Sequence, residues 1–262
     1  GCKRAFDERG LKLQFAPTHG VSHYFRGRNH DLVDGYLETA KKHGFMYDAV
    51  TIHAYSNIDG GILGPHDADV ETQHLIDRMR HYGYPDSTPI LVSEAFNQTP
   101  FRIPEWGADG WADFVICGPP SQDIGIREFV QAASMMRMYL IYLKYWPKVA
   151  MVHNFMFRPG FLDLNLTPYL WLKAINTLGH LLPDPCFVGD ARPFADIRGY
   201  VYQQGEEAIL AIWTTDHEVE YGRRKGPTLT LDLPEDARFV DFMGNARSGR
   251  KSSYGGMLVP LT

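Results

Sequence analysis

Cysteine is scarce in this chain: three residues in 262, Cys2, Cys117 and Cys186, lie far apart, and none forms a CxxC pair. That spacing excludes a zinc ribbon and a thioredoxin-type redox motif, and an odd number completes no disulfide framework. Long apolar runs are missing too. None approaches the roughly 20 residues of a membrane span, so no membrane partner is expected. No run of Lys and Arg forms a binding stripe, and the formal net charge is −5, so nucleic acid is not an expected partner. No Gly-rich turn follows a first strand, which leaves an open flavodoxin-like sheet without its phosphate cradle. The opening GCKRAFDERG has neither an initiating Met nor the apolar h-region of a signal peptide. It reads as the end of a helix, so a cut inside a longer chain is expected.

What the chain has in quantity is aromatic residues, 13% of the total, within an ordinary apolar share of 44% and charged share of 22%. Such residues fill cores, and they also line sugar-binding clefts. The apolar pattern alternates between two periods. Leu11–Pro17 is a strand candidate. Leu32, Val33, Tyr36, Leu37 and Ala40 recur at helical spacing, closed by Gly44 where a C-terminal glycine belongs. YDAVTIHAY is a β-branched strand, and Asp69 to Gly83 a helix with Leu75, Ile76, Met79 and Tyr82 on one face. Pro89 to Glu94 is a third strand, and a long loop runs from about Ala95 to Asp123. IREFVQAASMMRMYLIYLKYW is an apolar helix with Phe129, Ala133, Met136, Leu140 and Leu143 in register. KVAMVHNFMF is a fourth strand and TPYLWLKAINTLGHLL a fourth helix, with Pro168 in its first turn. Strands alternating with helices predict an α/β fold with a parallel sheet over residues 1–183. From residue 184 to 262 the texture changes to short strands (YVYQQ, AILAIWTTD, TLTLDLP, ARFVDFMG, GMLVPLT) separated by turns, a small all-β module.

Each parallel strand ends on a polar residue. The first delivers Thr18 and His19, the second His53 and Tyr55, the third Glu94, the fourth His153 and Asn154. Taken singly, each is more often a structural hydrogen-bonding residue than a functional one. Together they would line one rim of the sheet, and the carboxyl ends of parallel strands are where such folds place their chemistry.

The order YDAVTIHAY, PILVSEAF, a long apolar helix, VAMVHNFMF and a β-module resembles the second half of a clan A retaining glycoside hydrolase, of the β-xylosidase and α-iduronidase type. AILAIWTTD and FVDFMGN stand where many such enzymes have the strands of an appended β-sandwich. The resemblance implies the second half, four βα units equivalent to strands 5–8, of a (β/α)8 TIM barrel over residues 1–183, followed by a β-sandwich over 184–262. Glu94 looks like the nucleophile that forms a glycosyl-enzyme. Tyr55 would orient it, His53 would contact sugar hydroxyls or the same carboxylate, and His19, His153 and Asn154 would line the subsite. Phe155 or Phe157 stands where the clan usually has a Trp. Trp106 and Trp111, on the long loop, would stack on sugar faces or pin the loop to the barrel. No cofactor or metal is implied, the expected partner is a carbohydrate, and a secreted or periplasmic location fits that substrate class.

One part is missing. In this clan the acid/base glutamate follows an Asn at the end of the fourth barrel strand, and no Asn-Glu pair occurs in the chain. The missing carboxylate is therefore expected from an N-terminal half of the barrel, as another chain or segment. A half-barrel that dimerises is the less favoured arrangement. Two further readings compete: a non-catalytic carbohydrate-binding or scaffold protein, and a metal-dependent hydrolase using His19, His23, His53 and His153.

Overall fold

The computed structural model describes residues 8–10, 16, 30–57, 67–98, 124–153, 166–194, 196–215, 225–251 and 257–260. They fall into two compact units, one within residues 1–100 and 141–155, the other within 101–140 and 156–262.

The first unit is built on a three-stranded parallel sheet in the order β1-β2-β3, with β1 Val50–Asn57, β2 Ile90–Gln98 and β3 Val149–Val152. Helix α1 (His30–Lys42) precedes β1, and α2 (Asp67–His81) joins β1 to β2. Consecutive residues of β1 are buried, Val50, Thr51 and Ile52, as expected of a parallel sheet covered on both faces. Val33, Leu37 and Ala40 of α1 and Leu75, Ile76 and Met79 of α2 are buried as well.

Both helices end on a glycine at positive φ, Gly44 at 70° and Gly83 at 85°. In each, the glycine N–H reaches back three residues and the next N–H five, to Lys41 and Ala40 in α1 and to Arg80 and Met79 in α2. This is the Schellman geometry, which turns the chain toward the following strand and satisfies the last helical carbonyls. Arg78 of α2 grips Asp34 of α1 through both Nε (2.7 Å) and Nη2 (2.6 Å), and this fork holds the guanidinium pKa above its ordinary value.

Two anchors set where β3 begins. Buried Asp69, in the first turn of α2, takes Lys144 Nζ at 2.9 Å and the Tyr145 hydroxyl at 2.5 Å. Lys148 Nζ then donates to the carbonyls of Asp86 (3.0 Å) and Thr88 (2.5 Å), just ahead of β2. Burial pushes the Lys148 ammonium pKa down, against the pull of Asp86. The starts of β2 and β3 are thereby tied together.

In the second unit, α3 (Ile124–Lys144, of which residues 124–140 belong here) and α4 (Leu170–Leu181) accompany an all-β module. Strands β4 (Cys186–Phe194), β5 (Ile197–Gln204) and β6 (Glu207–Thr214) form an antiparallel meander. Strand β7 (Thr228–Leu231) pairs with β11 (Met257–Pro260), which also takes β10 (Arg250–Lys251). Strands β8 (Phe239–Val240) and β9 (Ala246–Arg247) make a short hairpin. Ile197 of the meander and Leu229 of β7 share an apolar cluster with Ile212, Leu231 and Val259, so the two sheets bury a common core.

At the hairpin, Asp241 Oδ1 accepts the backbone N–H of Met243 and of Asn245, both at 2.9 Å, and Oδ2 pairs with Arg247 at 2.6 Å. Burial would raise this carboxyl's pKa. The bonds from Asn245, Arg247 and Met243 outweigh it and bring the pKa below the ordinary value.

Several boundaries differ from the sequence reading. The strand expected to stop at Glu94 runs on to Gln98, because β1 continues to pair with it as far as Asn57↔Gln98. The loop expected from Ala95 thus starts later. Pro168 precedes α4 instead of lying in its first turn, because extended Tyr169 is the N-cap. On α3 the expected positions Met136 and Leu140 are buried, along with Ala132, Met135 and Met138, but Phe129 is exposed. Phe129 lies beside Phe242 of the β8–β9 turn, ring centroids 4.9 Å apart, which is why a helical position of core spacing lies off the buried face. The strand candidate Leu11–Pro17 lies outside the described residues except for Ala16.

Candidate functional site

The site is assembled by strand register. In a parallel sheet all carboxyl ends share one edge, and here the pairing specifies which residues meet there. Ile52 of β1 faces Val92 of β2, but the next residue, His53, faces Glu94. Ser93 is the extra residue of a bulge. A bulge reverses the alternation of faces for everything after it, so it decides on which face the residues beyond Ser93 fall. After it the ladder is regular, with Ala54 facing Ala95 and Tyr55 facing Phe96.

Strand β3 closes on the same place. The backbone N–H of His153 donates to the Val92 carbonyl (2.8 Å), and the N–H of Ala95 donates to the His153 carbonyl (3.0 Å). The His153 backbone therefore straddles Ser93–Glu94. Its ring completes the contact, with Nδ1 lying 3.0 Å from the Ser93 carbonyl. A carbonyl oxygen only accepts, so Nδ1 carries the proton in this contact, and in the neutral ring Nε2 carries the lone pair. His53, Glu94 and His153 are thus neighbours in the backbone, the first two on β1 and β2 and the third directly after β3. Upstream of them the buried strand residues are hydrocarbon except for Thr51: Val50 and Ile52, Ile90 and Val92, then Val149, all at 3% exposure or less.

Of the residues singled out in the sequence, His53, Tyr55, Glu94 and His153 have a described backbone on this sheet or directly after it, and His153 also has a described side chain. His19, Trp106, Trp111, Asn154 and Phe155 lie outside the described residues, as do the side chains of His53, Tyr55 and Glu94. Ser93 was missed as a contributor. No signal in PILVSE distinguishes a bulged serine from the next regular position, since the bulge arises from pairing with β1.

Among the described residues, no three or more His, Cys, Asp or Glu are grouped so as to hold a metal ion, and no helix is long and apolar enough to cross a membrane. Compared with family models, curated proteins and solved structures, the chain matches none.

Proposed function

We propose that this chain supplies the nucleophile-bearing half of a retaining glycoside hydrolase, with Glu94 as nucleophile. The observation that carries the reading is the register that sets Glu94 between His53 and His153 at the carboxyl-terminal part of an apolar parallel sheet. A carboxylate there meets the requirements of the chemistry: it is backed by a rigid element and flanked by groups that donate hydrogen bonds to sugar hydroxyls.

In the first step the Glu94 carboxylate attacks the anomeric carbon and the glycosidic C–O bond breaks. The leaving oxygen takes a proton from a second carboxylic acid, about 5–5.5 Å from Glu94 in a retaining enzyme. In the second step water, deprotonated by that same carboxylate, releases the sugar from Glu94. The second carboxylate comes from an N-terminal half of the barrel, as another chain or segment. In this reading residues 1–183 are four βα units of a (β/α)8 barrel and residues 184–262 a β-sandwich. Tyr55 orients Glu94, while His53, His153 and Asn154 bind hydroxyls. The phenylalanine at 155 replaces the flat indole usual at that floor, and Trp106 and Trp111 supply stacking surface.

The test is Glu94→Gln in the chain combined with the segment that brings the acid/base carboxylate, assayed on aryl glycosides. A fall in kcat of at least about 10³-fold is expected, roughly 4 kcal/mol of barrier. An unchanged rate on every cleavable glycoside sinks the nucleophile assignment; no turnover by either protein would instead favour a carbohydrate-binding protein.

A further inference from the structure

At the opposite end of the parallel sheet, where β2 and β3 begin, the first unit has a cleft of about 310 Å³. Gln73 and Arg80 of α2, Asp86 ahead of β2, and Trp146 and Lys148 ahead of β3 line it, with Ile76 beneath. Its size lies at the lower end of the roughly 300–1,000 Å³ typical of small-molecule sites, enough for one ring. Trp146 is 48% exposed, whereas the other two described tryptophans, Trp171 and Trp213, are buried. A half-exposed indole in a concave site is a flat apolar platform facing water.

The charges decide what chemistry the cleft accepts. Three cations contribute to its lining, Arg80, Lys144 and Lys148. Lys144 is committed to Asp69 at 2.9 Å, and Arg80 to Asp86 at 2.8 Å and Asp77 at 3.5 Å. Lys148 Nζ spends its protons on the carbonyls of Pro85, Asp86 and Thr88. Three carboxylates thus stand against three ammonium or guanidinium groups, so every cation of the lining is already engaged and only one edge of Arg80 keeps a free donor. What remains is a set of single donors and acceptors. Arg80 Nη2 and Asp86 Oδ2 make no bond among the described residues; nor does Gln73 Oε1, whose amide nitrogen donates to Asp77 at 3.0 Å.

We infer that this cleft is a second, non-catalytic site, which binds a neutral sugar ring. A pyranose has what the cleft lacks: a face of C–H groups, positively polarised, for the negative face of the indole, and hydroxyls that both donate and accept at its rim. A planar apolar ligand would leave Gln73 and Asp86 unmatched, and an anion would meet Asp86. The inference does not depend on Glu94, which lies at the other end of the strands.

The experiment is a titration of the chain with xylobiose, cellobiose and inorganic phosphate, followed by tryptophan fluorescence and by saturation transfer to the sugar protons. One or both disaccharides should saturate in the millimolar range, equally in the wild type and in Glu94→Gln. Binding should weaken at least tenfold in Trp146→Ala and about threefold in Gln73→Ala, an exposed substitution that leaves the fold's buried contacts intact. Saturation by neither disaccharide, affinity unchanged in both cleft variants, or phosphate displacing the sugar would each overturn the assignment. The last outcome would make the cleft an anion site.

Discussion

The parallel sheet of the first unit and the β4–β5–β6 meander of the second are both three-stranded, yet they bury different polar groups. In the parallel sheet the covered part is hydrocarbon apart from the Thr51 hydroxyl, and Ser93 and His153 bring polar side chains to its carboxyl-terminal part. In the meander the core itself is polar-tipped. Tyr200, Tyr202 and Trp213 are buried with their rings packed edge to face, and Arg198 is buried beside them. There two of the polar tips are bonded within the unit: the Tyr202 hydroxyl donates to the Leu140 carbonyl at 2.5 Å, and Arg198 Nη2 to the Tyr200 hydroxyl at 2.6 Å, while Trp213 Nε1 is buried without a hydrogen-bond partner among the described residues. The polar side chains at the strand edge also meet backbone, Ser93 Oγ at the Ile52 carbonyl (3.4 Å) and His153 Nδ1 at the Ser93 carbonyl (3.0 Å), but they do so where the His153 ring is exposed. The chemistry proposed above belongs to the first unit, while the described aromatic residues of the meander pack its core.

Substitutions can break that contrast, and the largest effect is expected in the hydrocarbon core. Ile90→Ala, at a fully buried position of β2, should cost about 2–5 kcal/mol in urea unfolding, transfer and cavity together. A loss below about 1 kcal/mol would mean that the sheet is less closely covered than described. Tyr202→Phe should cost about 1–3 kcal/mol, since it removes a buried hydrogen bond to the Leu140 carbonyl, and should leave sugar turnover unchanged. A catalytic defect with normal stability would place the aromatic layer in the chemistry and undo the contrast. Gly83→Ala, at φ 85°, should cost about 1–2 kcal/mol, the penalty of a left-handed residue with a Cβ. Its Cβ would only touch the Met46 side chain at 3.7 Å, so no clash contributes.

The smallest effect is one of pH. Asp241 has its pKa lowered in the fold, so its contribution to stability is complete above the unfolded value near 3.8 and is lost as pH falls through the lower folded value. Asp241→Asn should flatten the acid limb of a stability–pH curve below about pH 4 and leave the region above pH 5 parallel to wild type. An acid limb that stays as steep would mean that the Asn245 and Arg247 bonds do not favour the ionised form.

Much of the first unit was legible because its signals are local. The helical spacing of Leu75, Ile76 and Met79 and the glycines after α1 and α2 depend on neighbours in sequence. Strand β4 was not legible. Gly189 and Pro193 make it read as turn, and it exists because β5 pairs with it despite register breaks at Phe187/Gly189 and Ala191/Phe194, the second of which contains the proline. The end of β2 was misplaced for the same reason: a carboxylate looks like an end, yet backbone pairing is indifferent to it. At the candidate site, the polar strand ends could be read one by one. The bulge at Ser93 and the His153 ring on its carbonyl are properties of pairing between strands far apart in sequence.

The central claim is that Glu94 becomes covalently attached to a sugar. It is tested most directly by incubating the chain, together with the segment that carries the acid/base carboxylate, with activated 2-deoxy-2-fluoro glycosides, then digesting and weighing the peptides. The account predicts one added fluorosugar on the peptide containing Glu94, and none in Glu94→Gln. A fluorosugar on a different carboxylate, or hydrolysis of the natural glycoside with inverted anomeric configuration, would contradict it.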